Sequence, residues 1–314
     1  MSWLNFLAPV YLGWSLGAND ASNVFGTAVA SRMVRFWTAA LLASAFVILG
    51  AVLEGEAGMH TVGALSSFDA ESATLSSLAA AIAVTLLTFL RLPVSTSQAV
   101  VGAVIGVGVF KGGVDTSGLP KIVGCWIGTP IGAFLVALLL YRVLTPLANR
   151  LGNHITIYDG VLRLALLVVG SYGAYALGAN NVANVTGVFV GAGLLTPLSA
   201  ALVGGAAIAL GIVTYSRRVM MTVGKGIVRL NAYGAFIVVL AQALTVHAYA
   251  MLGVPVSSSQ AVVGAVLGVG VLKSIETVRF RAVLGIFSGW LATPALAIAV
   301  AMALYVVTHL QFVG

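Results

Sequence analysis

The chain has 314 residues, 60% of them hydrophobic and only 7% charged. A soluble domain carries roughly a quarter charged residues, so water cannot solvate this composition and the chain belongs in a bilayer. The net charge of +7 does not mark a nucleic-acid partner, because Lys and Arg fall mostly at the ends of apolar runs, where they set topology and meet lipid headgroups; one cysteine, Cys125, excludes an intrachain disulfide.

A spanning helix needs about 20 apolar residues. Uncharged runs at 36–53, 122–141, 164–216 and 282–308 qualify, and the short alternating segments of a strand barrel do not occur. Residues 3–16 are apolar and run into GANDASNVFGTAVASR at 17–32. Asn19, Asp20 and Asn23 sit close together in a segment that should cross lipid, and Gly17 precedes them. The expectation is a helix interrupted or locally unwound at this point. The N-terminus has no basic n-region or clear cleavage site, so residues 1–30 are expected in the mature protein. Arg32 and Arg35 lead to a helix at 36–53, and loop 54–76 holds Glu54, Glu56, Asp69 and Glu71. An apolar stretch at 77–92 ends at PVSTSQ (93–98), a short helix runs to Lys111, and a further element covers 122–141. The linker 142–163 sets Arg142, Arg150 and Arg163 against Asp159.

The pattern then restarts. GANNVANVTGVFVGAG at 178–193 repeats the first motif at an offset of 161, and a helix follows at 196–215. Loop 216–231 holds Arg217, Arg218, Lys225 and Arg229, and then comes PVSSSQ at 255–260. Lys273, Arg279 and Arg281 against Glu276 precede the last helix. Residues 93–111 and 255–273 are identical at sixteen of nineteen positions. The equivalent loops 54–76 and 216–231 carry opposite charge, four acids against four bases. The positive-inside rule places them on opposite sides of the membrane. The expected fold is therefore an all-α polytopic membrane protein with two inverted-topology repeats, 1–150 and 151–314, each built from interrupted helices and a helical hairpin. Both termini are expected outside, and 31–36, the central linker, 216–231 and 273–281 inside. Inverted repeats of this kind are the signature of a secondary transporter with a site near the bilayer midplane.

Each PVS[TS]SQ segment has a reason to bind something. Proline stops the arriving helix, and the hydroxyl residues cap the next one. The new half-helix exposes free N–H groups and its positive dipole end, a setting that favours anions. Ser95, Thr96, Ser97 and Gln98 add side-chain donors from one tip, and Ser257, Ser258, Ser259 and Gln260 from the other. Two such tips meeting near a pseudo-two-fold axis can cradle a tetrahedral oxyanion. Asp20 is an ionisable residue in a spanning segment, a functional hypothesis by default. Asn19, Asn23, Asn180, Asn181 and Asn184 supply amide oxygens around it, hard ligands suited to Na⁺. With no symmetric Lys or Arg at the tips, a multiply charged anion requires cations that travel with it, Na⁺ or H⁺. Arg91 either tunes the site or packs as a snorkelling arginine. His247 is either a proton-relay residue or a satisfied interfacial histidine. No nucleotide loop or catalytic motif is present, so an enzyme is not expected.

GANDASNVFGTAV, GANNVANVTG, PVSTSQ and PVSSSQ together resemble the inorganic phosphate transporter (PiT) family, over nearly the whole chain. The resemblance implies symport of inorganic phosphate with Na⁺, or H⁺ in some members, by a homodimer in the plasma membrane. It implies phosphate contacts at Ser95, Thr96, Ser97, Gln98, Ser257, Ser258, Ser259 and Gln260. It implies cation ligands around Asn19, Asp20, Asn23, Asn180 and Asn184, with Asn181 standing where the family typically has Asp. That exchange removes or weakens one cation site and leaves the ion and its stoichiometry open. Sulfate transport and an uncoupled anion channel are the rival expectations.

Overall fold

In the computed structural model, residues 4–65, 69–90, 94–115, 117–151, 155–223, 230–273 and 280–310 are described. They form twelve helices and no strand. Arg91, Pro93, His154, Lys225, Arg229, Glu276 and Arg279 lie outside them. The first six helices are α1 (Leu4–Ala30), α2 (Phe36–Glu54), α3 (Glu56–Gly63), α4 (Ala70–Phe89), α5 (Thr96–Gly108) and α6 (Leu119–Leu151). The second six follow in the same order: α7 (Ile155–Gly191), α8 (Pro197–Thr214), α9 (Ser216–Val223), α10 (Ala232–Met251), α11 (Ser258–Lys273) and α12 (Phe280–Leu310). Seven of the helices hold a stretch long and apolar enough to cross a bilayer. The chain is a multi-pass integral membrane protein.

The halves interlock by exchange. Helix α2 packs on α7 as α8 packs on α1, and α5 lies against α12 as α11 lies against α6. Lipid gives no hydrophobic drive for helix association, so these crossings depend on close backbone approach at small residues. Glycines at matching positions provide it. Gly17 abuts the Ile208 carbonyl and Gly178 the Val47 carbonyl; Gly50 abuts that of Tyr175 and Gly211 that of Trp14. Gly102 and Gly264 do the same against the carbonyls of Pro294 and Pro130. A Cβ at any of the six would overlap a backbone oxygen.

The short helices cap opposite partners. Helix α3 rests on the C-terminal part of α7, where Gly187 faces Val62 and Gly191 faces Gly63. Helix α9 rests on the C-terminal part of α1, where Gly26 faces Met220. Helices α4 and α5 form a hairpin that enters and returns. Lys111, just past α5, bonds Asp69 at 3.0 Å and Glu71 at 2.8 Å at the start of α4. Asp69 also caps α4, accepting the Ser72 amide at 2.8 Å while its own amide bonds the Ser72 hydroxyl. Those Ser72 bonds, and then Lys111, hold the Asp69 carboxyl well below the usual carboxylate range. Glu71 and Asp69 in turn push the Lys111 ammonium up. In the second hairpin Asn231 caps α10 through the Gly234 amide, 3.0 Å. Helix α10 ends where Gly253 turns to φ +69, with the Val254 amide bonded back to Tyr249.

One expectation is corrected. Helices α1 and α7 run unbroken through both GAN motifs. The physical reason lies in the tips, which supply partners for the polar side chains so that the backbone keeps its own ladder. Gly17 and Gly178 serve helix crossing, not unwinding. Backbone carbonyls near the motifs accept their own helical N–H groups, whereas among the described residues those of Val94 and Val256, in the extended tip segments, accept no helical backbone N–H.

Candidate functional site

Both tips form as capped helix starts. Ser95 is extended (φ −110, ψ 101) and its hydroxyl accepts the Gln98 amide at 3.4 Å. Ser257 accepts the Gln260 amide at the same distance. The tips then bond each other in a matched pair. Ser97 Oγ donates to the Val256 carbonyl at 3.0 Å, and Ser259 Oγ donates to the Val94 carbonyl at 2.8 Å. The two half-helix starts are thus held directly together, and the residues of both are buried apart from the half-buried Ser259.

The unbroken helices α1 and α7 press their polar motifs against this junction. Asn180 grips the second tip with its whole amide, donating to the Val256 carbonyl at 2.8 Å and accepting the Val256 amide at 2.9 Å. Asn184 donates to Ser97 Oγ and to Asn181 Oδ1, both at 3.0 Å. Asn180 also approaches Asn181 Oδ1 at 3.2 Å. From α1, Asp20 accepts the Ser258 hydroxyl at 3.0 Å and the Asn19 amide at 3.1 Å. Asn23 donates to Ser258 Oγ at 3.1 Å, and Asn181 Nδ2 lies 3.5 Å from Asp20 Oδ2. Every candidate phosphate and cation residue named from the sequence is therefore in this network or on a tip that carries it, whereas His247 bonds Glu54 and Tyr172 elsewhere. The reading of the sequence missed the two valines, Val94 and Val256, whose backbone joins the tips. Their only signal was a Val preceding the hydroxyl run in both copies.

The network is not symmetric. At the offset relating the two halves, Thr96 corresponds to Ser258 and Asn181 to Asp20. Ser258 bonds Asp20, whereas Thr96 Oγ1 is buried without a partner among the described residues. The side-chain oxygens of Gln98, Gln260 and Asn184 are likewise buried and unpartnered there. Buried polar atoms are paired in the great majority of cases, so four orphaned oxygens around one junction fit a site that takes up a polar ligand. The joined groups hold one carboxylate, Asp20, at 3% exposure, and no cation. A buried carboxylate facing only neutral donors is costly to keep charged. A mobile cation or a proton offsets that cost, and amide, hydroxyl and carboxylate oxygens are the ligand set a hard cation prefers.

Comparison with known proteins places the chain in a family. The sequence model of the phosphate transporter family matches residues 16–301. A Methanocaldococcus jannaschii protein named as a candidate phosphate permease is 32% identical over 94% of each chain. A Bacillus subtilis protein named sulfate permease CysP is 29% identical over 94% of this chain and 84% of its own. A solved structure described as the sodium-dependent phosphate transporter superposes with a TM-score of 0.88 over 98% of both chains, at 24% identity, so the fold is shared. With the family model matching residues 16–301, a span that includes both tips and both polar motifs of this chain, this protein belongs to the phosphate transporter family.

Proposed function

We propose that the protein imports inorganic phosphate across the plasma membrane by symport with Na⁺, through alternating access around the joined tips. Residues 1–150 and 151–314 act as two inverted repeats, in line with the exchanged packing of α2 on α7 and α8 on α1. The observation that carries the reading is the junction itself. Two helix N-termini, each with a Ser-rich cap, meet beside a lone buried carboxylate. Phosphate takes the N–H and hydroxyl donors of Ser95–Gln98 and Ser257–Gln260. Na⁺ takes the oxygens of Asp20, Asn19, Asn23, Asn180, Asn181 and Asn184 and neutralises the anion's charge. The Na⁺ reading is supported by the shared fold with a structure described as sodium-dependent. H⁺ is the alternative ion, because Asn181 leaves the site a single carboxylate. The working unit is a homodimer, as the family resemblance implies.

Uptake of labelled phosphate into proteoliposomes under an imposed Na⁺ or H⁺ gradient tests this. Gradient-driven accumulation is expected, and its absence in folded protein would end the proposal. A second reading is sulfate transport, favoured by the named sulfate permease among the relatives. Excess sulfate that suppresses phosphate uptake, together with sulfate uptake of its own, would decide for it. Flux that follows voltage and ignores the cation gradient would instead mark an uncoupled channel.

A further inference from the structure

A second polar cluster lies away from the tips and takes no part in the site above. His247 on α10 places Nε2 2.6 Å from Glu54 Oε2 at the end of α2. Its Nδ1 lies 2.7 Å from the hydroxyl of Tyr172 on α7. Tyr175, one turn on, sets its ring edge-on to the imidazole with 5.6 Å between ring centroids. The roles follow from the partners. Tyr172 can donate to Nδ1, which leaves Nε2–H to donate to the carboxylate. Histidine and glutamate here are 18% and 36% exposed, so the pair is half-buried and still within reach of water.

The cluster exists in one half only. At an offset of 161, Tyr11, Trp14 and Tyr215 stand where Tyr172, Tyr175 and Glu54 stand, and at the 162 offset of the tip segments Thr85 stands where His247 stands. They keep the contacts without the titrating groups. Tyr11 donates to Thr85 at 2.9 Å, and Trp14 tilts against Tyr215 at 5.7 Å. Packing alone is therefore met by neutral residues in this position of the fold, and the acid–imidazole pair of the other half needs a further reason. Its placement supplies one. His247 is carried by the helix that leads into the second tip, whereas Glu54 and Tyr172 belong to α2 and α7, which pack on each other.

We infer that Glu54, His247 and Tyr172 form a proton-binding site, separate from the phosphate and cation site, whose occupancy controls how firmly the second hairpin is held against α2 and α7. The ligand is a proton from water on the side of the acidic loop. With the proton bound at Nδ1, Tyr172 turns to accept it, and imidazolium and carboxylate clamp α10 to α2 as an ion pair; without it, a neutral imidazole donates one hydrogen bond from Nε2–H to the carboxylate. Among the described residues, the other titratable groups on the helices packed against α10 make no hydrogen bond to His247. On α3, Glu56 and His60 pair with each other at 3.5 Å on the exposed face. On α1, Asp20 is held by Ser258 and Asn19. On α6, Cys125 lies near Tyr249. On α11 the one titratable residue, Lys273, is at its far end.

Two measurements test the site, and only the second rests on the phosphate-import reading. The imidazole ¹⁵N signals of His247, assigned by their loss in His247→Gln, are followed between pH 8 and 5. They are expected to change in wild type and to change over a different pH range in Glu54→Gln. Signals that stay constant, or that respond identically in both proteins, overturn the proposal. Next, labelled phosphate uptake is measured at a fixed Na⁺ gradient across the same pH range for wild type, Glu54→Gln and Tyr172→Phe. The ratio of variant to wild-type rate removes phosphate's own titration. It is expected to change at least about threefold between pH 8 and 5, equivalent to about 0.65 kcal/mol. A ratio independent of pH in both variants overturns the control of the hairpin. Tyr172→Phe keeps the ring, so it serves if the charge-changing variant fails to fold. Absence of uptake by wild type defeats the import reading and leaves the nitrogen titration to decide the site.

Discussion

At the scale of single residues, the account turns on Asp20 and on the position that lacks its partner. Asp20 is the one carboxylate at the junction and accepts Ser258 from the second tip. Asp20→Asn keeps the size and loses the charge that attracts a cation. Coupled uptake is expected to fall at least about a hundredfold, equivalent to about 2.7 kcal/mol, with the folded yield unchanged. Asn181→Asp restores a second carboxylate beside Asn184 and Asn180. It is expected to steepen the dependence of uptake on Na⁺ concentration, read as a higher Hill coefficient. An unchanged cation dependence would show that position 181 holds no ion. The sequence made these residues legible because polar groups inside an apolar run are rare and were duplicated. It did not show that Ser97 and Ser259 spend their hydroxyls on Val256 and Val94. A serine at a helix start can cap, bond a neighbour or bind a ligand, and only the approach of the other tip decides among them.

At the scale of elements, hydropathy and the restart at residue 178 located the spanning helices and both hairpins. The expected break in α1 and α7 was wrong for a reason the linear sequence hides. Asn180 satisfies itself on the backbone of a tip 76 residues away, so the helix has no need to open. Close crossings were equally hidden, since a Gly within an apolar run reads the same whether it faces lipid or a carbonyl. Gly178→Val should drive a side chain into the Val47 carbonyl and cost about 2–3 kcal/mol, seen as loss of monodisperse protein. Gly160→Ala, on the same helix with open space around it, is expected to be neutral or slightly stabilising.

The latch at the mouth of the first hairpin has a defined pH window. Asp69 is depressed, so its contribution is present above the ordinary carboxylate value near 4 and is lost as pH falls through its lowered folded value. Lys111 is raised, so its contribution is present below about 10.4 and is lost as pH rises through its folded value. The carboxylates are about half exposed, which limits the pairs to about 1 kcal/mol. Lys111→Met is expected to lower Tm by about 2 °C at pH 7. The difference should shrink at pH 3, where Asp69 takes up its proton in the unfolded chain while it stays ionised in the folded one. An equal difference at both pH values would mean that Lys111 contributes through packing alone.

For the whole molecule, charge asymmetry between equivalent loops predicts an inverted threading, and the exchanged packing of the halves is what a two-fold relation between them would produce. Glu56 on α3 and Met221 on α9 are both exposed. In a Cys125→Ser background, Glu56→Cys is expected to react with an impermeant maleimide from outside intact cells, and Met221→Cys only after permeabilisation. Labelling of both from one side would contradict the inverted arrangement. The joint site was less legible than the helices, because it depends on how closely the two tips approach each other. The most direct test of that site is an experimental density map of the protein prepared with phosphate and Na⁺. The account predicts a tetrahedral feature within hydrogen-bonding distance of both Ser95–Gln98 and Ser257–Gln260, with an oxygen-coordinated ion beside Asp20. A tetrahedral feature bound to one tip alone, or lodged elsewhere with the junction empty, would contradict it.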